Sequence, residues 1–268
     1  HLKEEGSLPV NLIVLAEGEE EIGSPNLVPF VEAQKERLAC DAVVISDTGM
    51  FAPGLPALLF SLRGLAYFEV RVVGPSSDLH SGEYGGPVVN PAMALGRMLA
   101  TLHDDQGRIA VDGFYDDVLD WDPEARRAIR DLPFDEDDFA QSLGAAPEGG
   151  EPGFSILERL WIRPTCEVNG LLSGYTGEGA KTVLPAEAMA KVSFRLVSDQ
   201  TPERVAELFR AHIASVTPPG VTVTIEELHG GMPWRAQLDG RLKEAATSSL
   251  LKAFGAAPVL AGGGGSIP

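Results

Sequence analysis

Acidic side chains follow two short apolar segments, and carboxylates in that position could do metal or acid–base chemistry. Glu17–Glu21 come directly after the apolar run Asn11–Ala16, and Asp47 follows a second run, Ala42–Ser46. In an open α/β sheet, sites form at the carboxyl ends of the strands, so both acidic groups would share one edge. There they could bind a divalent cation, and a spare glutamate could act as general base. The alternative is an ordinary solvated loop.

Histidine and arginine supply further candidates. No histidine is near either acidic group, so these residues by themselves favour Mg²⁺ or Mn²⁺ over zinc. His80 lies in the glycine-rich segment Asp78–Gly86 and could donate to an oxyanion, or it could simply bond to the loop backbone. Arg195 could bind a carboxylate through both guanidinium nitrogens, or be an ordinary surface arginine. Gly179–Pro185 lacks the spacing of a phosphate-binding loop, which excludes a nucleotide site of that kind.

The elements that would position the first acids form a βαβ pattern. Asn11–Ala16 and Ala42–Ser46 read as buried parallel strands. Between them, Ser24 is expected to be an N-cap and Pro25 the first helical residue, with one apolar face running to Leu38.

From about Leu62 the pattern changes to strands with one polar face and two long helices, typical of a helix pair backing an antiparallel sheet. The strands are predicted around Phe68–Val72, Val192–Leu196 and Val221–Ile225, and the helices after Asn90-Pro91 and Thr201-Pro202. Residues 104–179 read as a long excursion with a helix near Pro123–Arg130, and Asp239–Phe254 as a final helix ended by Gly255.

The fold class is therefore α/β, interrupted by an α+β domain. We predict partial α/β pieces at residues 1–60 and 233–268, and an inserted domain with an antiparallel sheet and two helices at residues 61–232.

Composition excludes several classes of protein. A net charge of −18 over 268 residues argues against nucleic-acid or anionic-membrane binding, and no apolar stretch is long enough to span a bilayer. Two cysteines make no disulfide scaffold and fit a cytoplasmic location. Because the chain opens without Met and stops just after four glycines, we expect it to be a fragment.

Several motifs in a fixed order now carry a resemblance to a known family. They are the segments 17–24, 45–47, 78–86, 179–185, 194–197, 229–231 and 264–268. Together they resemble the zinc-dependent dipeptidases of the carnosinase and cytosolic non-specific dipeptidase type, within the metallopeptidase family that includes acetylornithine deacetylase and glutamate carboxypeptidase. The resemblance covers essentially the whole chain.

The resemblance implies a catalytic domain with two metal ions, interrupted by a lid domain that also makes a homodimer. Zn²⁺ is the expected metal and Mn²⁺ the alternative. By similarity, Glu20 is the general base, Glu21 a ligand to one metal and Asp47 a ligand to the other. His80 matches the lid histidine that reaches into the partner subunit's site and stabilises the oxyanion.

The resemblance also implies a substrate-binding set, namely Thr182, Arg195, His229 and Ser266. Arg195 is the expected clamp for the carboxylate of a short peptide, and Ser266 is a contact from the catalytic domain. The implied activity is the metal-dependent hydrolysis of dipeptides.

The chain departs from the family in two ways. The upstream His-x-Asp motif, the bridging Asp and the final His ligand are not in it, so we expect an incomplete metal site and an inactive chain. Gly262-Gly263 stand where relatives carry Arg-Glu, and that Glu would face the substrate's free amine. Two alternatives stay open: an N-acyl-amino-acid deacylase or carboxypeptidase of the same family, and a non-catalytic dimerisation and peptide-binding module.

Overall fold

The computed structural model describes residues 6–236 and 240–267 and divides the chain into two compact units. The first unit is residues 1–48 with 267–268, and the second is residues 49–266. The predicted division at residues 60 and 232 follows the α/β and α+β patterns instead, and it stays a prediction.

The first unit lacks the two parallel strands that the sequence predicts. Asn11–Ala16 and Ala42–Ser46 form no strand, and their apolar side chains are exposed, as at Val14 (79%) and Val44 (88%). The prediction of strands here is wrong because, among the described residues, no neighbouring strand pairs with either segment. A strand needs such a partner for its backbone N–H and C=O groups.

The described residues of this unit form two short helices. They are a 3₁₀ helix at Glu20–Ile22 and helix α1 at Leu27–Ala33. The expected start at Ser24-Pro25 is wrong: Asn26 is the N-cap residue, and Ser24 adopts a positive φ of 48°. Helix α1 also ends well before Leu38.

The second unit contains the remaining elements. Its strands are β1 (Ala57–Leu62), β2 (Gly64–Val73), β3 (Leu79–His80), β4 (Thr165–Ser173), β5 (Val183–Leu184), β6 (Glu187–Leu196), β7 (Thr222–Gly231), β8 (Trp234–Arg235) and β9 (Val259–Gly263). Its helices are α2 (Ser81–Tyr84), α3 (Pro91–Ala100), α4 (Pro123–Arg130), α5 (Glu136–Leu143), α6 (Ile156–Trp161), α7 (Pro202–Val216) and α8 (Gly240–Phe254).

A four-stranded antiparallel sheet in the order β4-β6-β2-β7 confirms the predicted α+β layer. Alternate residues of β2, from Ala66 to Val72, are buried on one face, and helices α3 and α7 pack against that face. Asn90 caps α3 and Thr201 caps α7, each followed by proline in the first turn, as the sequence predicts. The other face of the sheet is open and carries the polar residues.

Four aromatic rings form the centre of this core. Phe194 lies with its ring centroid 6.0 Å from Phe68, 5.2 Å from Phe209 and 5.6 Å from Phe114. All four rings are at most 2% exposed. Phe114 comes from the excursion, so this segment contributes to the core between the sheet and its two helices.

A second, smaller sheet has the order β8-β1-β9. Strand β9 lies parallel to β1, so the end of the chain returns beside residues 57–62. Strand β1 continues into β2 across Arg63 alone, and a Cβ at Gly64 would meet the Gly231 oxygen and the Pro233 nitrogen at 2.6 Å. The backbones therefore cross so closely that only glycine fits at residue 64.

The excursion is more ordered than the sequence predicts. Helix α4 has the predicted bounds, but α5, α6 and β4 were not predicted. The final predicted helix is confirmed as α8, and Gly255 follows it with a left-handed φ of 76°. Asp239, its predicted first residue, lies outside the described residues.

Among the described residues, none of the helices has the length and apolarity that crossing a bilayer requires.

Candidate functional site

Two of the three candidate acids of the first unit, Glu20 and Glu21, lie on a tight turn. Glu20 and Glu21 open the 3₁₀ helix, which ends at Gly23 in the left-handed region with a φ of 84°. Glu20 is half-buried, whereas Glu21 and Asp47 are exposed. Within residues 6–236 and 240–267, no three His, Cys, Asp or Glu side chains are grouped so that they could hold a metal ion. Glu21 and Asp47 therefore do not form a metal site from this chain's described residues.

His80 and Thr182 are brought together by the short β3–β5 ladder. His80 pairs with Val183 in this ladder, and the Ser81 N–H donates to the Thr182 carbonyl at 2.9 Å. The His80 Nε2 atom lies 2.9 Å from the Thr182 hydroxyl. We call the exposed pair His80 and Thr182 the tip.

The backbone fixes the tautomer of His80. The Gly82 N–H donates to His80 Nδ1 at 3.1 Å, so Nδ1 carries no proton. The ring proton of the neutral imidazole is then on Nε2, which points to the Thr182 hydroxyl. An exposed N–H and a neighbouring hydroxyl are donors of the kind that an oxyanion needs.

Arg195 and His229 lie on the open face of the four-stranded sheet, near one end. Arg195 pairs with Leu65, and His229 pairs with Tyr67 on the other side of the same strand. Strand spacings then place the two Cα atoms about 12 Å apart. The His229 ring packs edge-on against Tyr67, with centroids 4.9 Å apart. Within the described residues, the Arg195 guanidinium has no hydrogen bond or ion pair, so it can bind a ligand carboxylate.

Ser266 reaches the same end of the sheet. Its Cβ lies 3.9 Å from the point where a side chain on Gly231 would begin, and Gly231 pairs with Leu65. The structure thus brings together three predicted substrate residues from three distant parts of the sequence. We call Arg195, His229 and Ser266 the carboxylate cluster.

The tip and the carboxylate cluster are at opposite ends of the sheet. Thr182 precedes β6, whose first residue Glu187 pairs with Val73, whereas Arg195 is near the end of β6. Arg195 is eight residues further along the strand than Glu187, which is a distance of roughly 25 Å. Thr182, which the sequence grouped with Arg195 and His229, therefore lies beside His80, and its role in substrate binding stays a prediction.

Sequence reasoning missed Arg63, which is 8% exposed at the junction of β1 and β2. Its side chain donates to the carbonyls of Gly264, Arg159 and Arg163. Burial, and then the nearby charge of Arg195, lower the pKa of Arg63 to about 10, while Glu167 opposes the shift. The available signal was an arginine between two apolar strand segments in S-L-R-G-L.

The glycines before Ser266 are part of the packing. A Cβ at Gly262 would meet Trp161 Cβ at 2.5 Å, and a Cβ at Gly263 would overlap Leu62 Cδ2. Neighbouring side chains therefore occupy the space that a larger residue would need. Only glycine fits at these two positions without a shift of the neighbours.

Comparison with known proteins identifies the family of this chain. The model of the M20 peptidase dimerisation domain matches residues 60–221. A Cys-Gly metallodipeptidase from Schizosaccharomyces pombe is 32% identical over 97% of this chain and 56% of its own length.

Solved structures show the same fold. Human carnosine dipeptidase 1 has a TM-score of 0.80 and 30% identity over 94% of this chain and 54% of its own. An M20 family metallo-carboxypeptidase from Sulfolobus solfataricus has a TM-score of 0.81 and 33% identity over 94% of this chain and 57% of its own. The predicted resemblance to carnosinase-type dipeptidases is confirmed.

The chain spans a little over half the length of these relatives. The family model covers more than half of the chain, and its bounds enclose the tip, Arg195 and all strands of the four-stranded sheet except β7. The chain therefore belongs to the M20 peptidase family and contains its dimerisation domain.

Proposed function

We propose that the protein containing this chain is a metal-dependent dipeptidase that hydrolyses dipeptides or short peptides. The observation that carries the proposal is the carboxylate cluster, in which a guanidinium with no partner among the described residues faces the open side of the sheet, near a histidine and a serine. Such a cluster suits the free carboxylate of a short peptide. The names of the relatives support the same reaction class.

In this proposal each residue has one role. Arg195 holds the substrate carboxylate, and His229 and Ser266 orient the peptide beside it. Glu20 takes a proton from the attacking water and returns it to the leaving amine. His80 donates its Nε2–H to the oxyanion that forms on the scissile carbonyl, with Thr182 adjacent.

The metal ions need ligands beyond the described residues. We propose two divalent ions, Zn²⁺ with Mn²⁺ as the alternative, to which this chain would contribute Glu21 and Asp47. A metal would supply Lewis acidity and a lower water pKa. Because the described residues do not group into a metal site, we expect the chain alone to be inactive.

A homodimer through the lid domain, proposed at residues 61–232, would unite the two ends of the sheet. Strand β4 is an edge strand, and its side chains are exposed at Val168 (47%) and Leu171 (65%). Met93 of helix α3, on the same side of the sheet as these two, is 59% exposed. Two copies related by a two-fold axis could pair β4 with β4 and cover this apolar strip. The tip of one subunit would then serve the site of the other.

The central test is Glu20→Gln in the parent protein, assayed on dipeptides with added Zn²⁺ or Mn²⁺. We expect turnover to be lost while metal still binds, measured by isothermal calorimetry. Glu32→Gln in helix α1 is a matched control that should keep full turnover. A fully active Glu20→Gln enzyme would refute the assignment.

The oligomeric state tests the interface. Leu171→Asp should convert the dimer to a monomer in sedimentation analysis, because it places a charge in the apolar strip. Leu228→Asp, on the opposite edge strand β7, is the control and should remain dimeric. A dimer that survives Leu171→Asp would place the interface elsewhere.

The runner-up is a deacylase or carboxypeptidase. It is favoured by the absence of any carboxylate side chain in Val259–Ile267, where a relative's Glu would meet the substrate amine. An N-acyl amino acid hydrolysed faster than the matching dipeptide would support it. If neither is hydrolysed and the chain only binds peptides, the non-catalytic module is the better description. We also propose a cytoplasmic location, supported by two free cysteines, Cys40 and Cys166.

A further inference from the structure

We infer that Arg63 is a positioning residue that fixes the Gly264–Ser266 loop against the lid sheet. The inference rests on the proposed function only in so far as Ser266 contacts substrate. The contacts themselves belong to the described chain.

Arg63 joins three segments that meet at the crossing of the two sheets. Its Nε donates to the Gly264 carbonyl at 3.1 Å, and its Nη1 lies 3.4 Å from the carbonyls of both Arg159 and Arg163. The Arg63 backbone N–H also donates to the Gly263 carbonyl at 3.1 Å. One residue thus ties the loop, the end of helix α6 and the approach to β4 to the β1–β2 junction.

The glycines of this loop offer neighbouring segments no side chain to bind. Gly264 and Gly265 have no side chains, so only their main-chain groups can be bound from outside. Gly262 and Gly263 are held by close packing against Trp161 and Leu62. The Arg63 backbone N–H binds Gly263, and the Arg63 guanidinium is the described side chain that binds the next residue, Gly264, before the chain turns toward Ser266.

Burying the charge of Arg63 costs folding free energy, so this residue is unlike one that only fills space. It is 8% exposed, and within the described residues no carboxylate lies within ion-pair distance of it. A buried cation without an anion stabilises the folded protein less than an apolar side chain of similar volume would. Such a residue is therefore expected only where its hydrogen-bond donors make contacts that an apolar group cannot make. Here they bind three carbonyls in a fixed fork, which lysine cannot reproduce.

Arg63 is too buried to bind substrate itself, so its effect passes through Ser266. Since Ser266 lies beside Gly231 at the end of the carboxylate cluster, a shift of the loop would change that cluster. We therefore expect weaker substrate binding rather than a slower chemical step when Arg63 is replaced.

Hydrogen–deuterium exchange of the 268-residue chain tests the inference directly. In Arg63→Gln we expect exchange in the peptide covering residues 259–266 to rise about tenfold, with peptides of β6 unchanged. Arg63→Lys should give a smaller rise, about threefold, and decides the question if Arg63→Gln does not fold. Arg71→Gln is the control and should match the wild type, because Arg71 is a half-buried arginine within the following strand β2.

Two exchange results would overturn the inference. One is an unchanged rate at residues 259–266 in folded Arg63 variants. The other is an equal rise in all peptides, which would make Arg63 a general stabiliser.

Kinetics of the parent protein give a second readout. Arg63→Lys should raise KM for a dipeptide about tenfold with kcat within twofold of wild type, while Arg71→Lys leaves both unchanged. A fall in kcat with an unchanged KM would contradict the inference. If the wild-type parent does not hydrolyse dipeptides, the proposed function fails, but the exchange experiment still decides the role of Arg63.

Discussion

Replacing Glu158 with glutamine tests how helices α4 and α6 are held together within the excursion. Glu158 is fully buried in helix α6, where its Oε1 accepts from Arg126 Nε and its Oε2 accepts from the Ser155 N–H, both at 2.7 Å. The Ser155 hydroxyl accepts from the Glu158 N–H in return, which completes a capping box. Arg130 Nε lies 3.5 Å from the same Oε1.

The expected cost follows from these contacts. Breaking a buried ion pair by removing one charge costs about 3–5 kcal/mol. The lower end applies because the Arg126 and Arg130 side chains are 23% and 48% exposed and can regain water. Glutamine keeps one oxygen acceptor, which recovers about 1 kcal/mol. The net loss of unfolding free energy is then about 2 kcal/mol, or a fall in Tm of about 4–8 °C.

The pH dependence has a definite sign. Burial raises the pKa of Glu158, but the hydrogen bonds and charge of Arg126, together with the Ser155 N–H, outweigh it and hold the pKa below its ordinary value of 4.5. The folded pKa is thus lower than the unfolded one. The extra stability is fully present above pH 4.5 and is lost as the pH falls through the folded value. The difference in unfolding free energy between wild type and Glu158→Gln should therefore become smaller as the pH falls.

Thermal and urea unfolding, followed by circular dichroism at pH 7 and pH 4, measure this. Glu207→Gln is the matched control, because Glu207 is 71% exposed and its pair with Arg204 spans 3.2 Å. We expect less than about 0.5 kcal/mol from it. If Glu158→Gln costs no more than the control, or if the difference grows in acid, the reasoning is refuted.

Three further perturbations follow from the described contacts. Gly262→Ala should destabilise the chain by about 2 kcal/mol in urea unfolding, because its Cβ would overlap Trp161; an unchanged midpoint would contradict this. Tyr115→Phe should cost about 1–2 kcal/mol, since the hydroxyl accepts from a backbone N–H and donates to Glu151 at 3.0 Å; a neutral effect in the same assay would show that water replaces it. Thr182→Val in the parent should lower kcat about tenfold by removing a tip donor, whereas Thr182→Ser should keep most activity.

Strands β2 and β6 and helices α3 and α7 could be predicted because each carries a strong signal in its own sequence. Alternation along β2 and β6 marks the face that helices cover, and Asn90 and Thr201 mark helix starts by side-chain capping. Each signal lies within the segment it describes. The predicted strands of the first unit failed because a strand's hydrogen bonds come from another segment, which no local pattern reveals.

The site could be predicted only in part for a similar reason. Motifs located Arg195, His229 and Ser266, and the register of the sheet brings them together. The pairing of Thr182 with His80 depends on a two-residue ladder between segments a hundred residues apart. Arg63 was missed because its partners are backbone carbonyls. Every residue type supplies a carbonyl, so the sequence does not show which ones an arginine will bind.

The separation of the tip from the carboxylate cluster has a genetic consequence. If each active site takes its tip from one subunit and its carboxylate cluster from the other, the effect of two substitutions depends on whether they are in the same subunit. A subunit lacking His80 and a subunit lacking Arg195 would each form an inactive homodimer. Mixed together, they would form a heterodimer in which one site has both lesions and the other has neither. Co-expression should therefore restore activity that neither variant has alone.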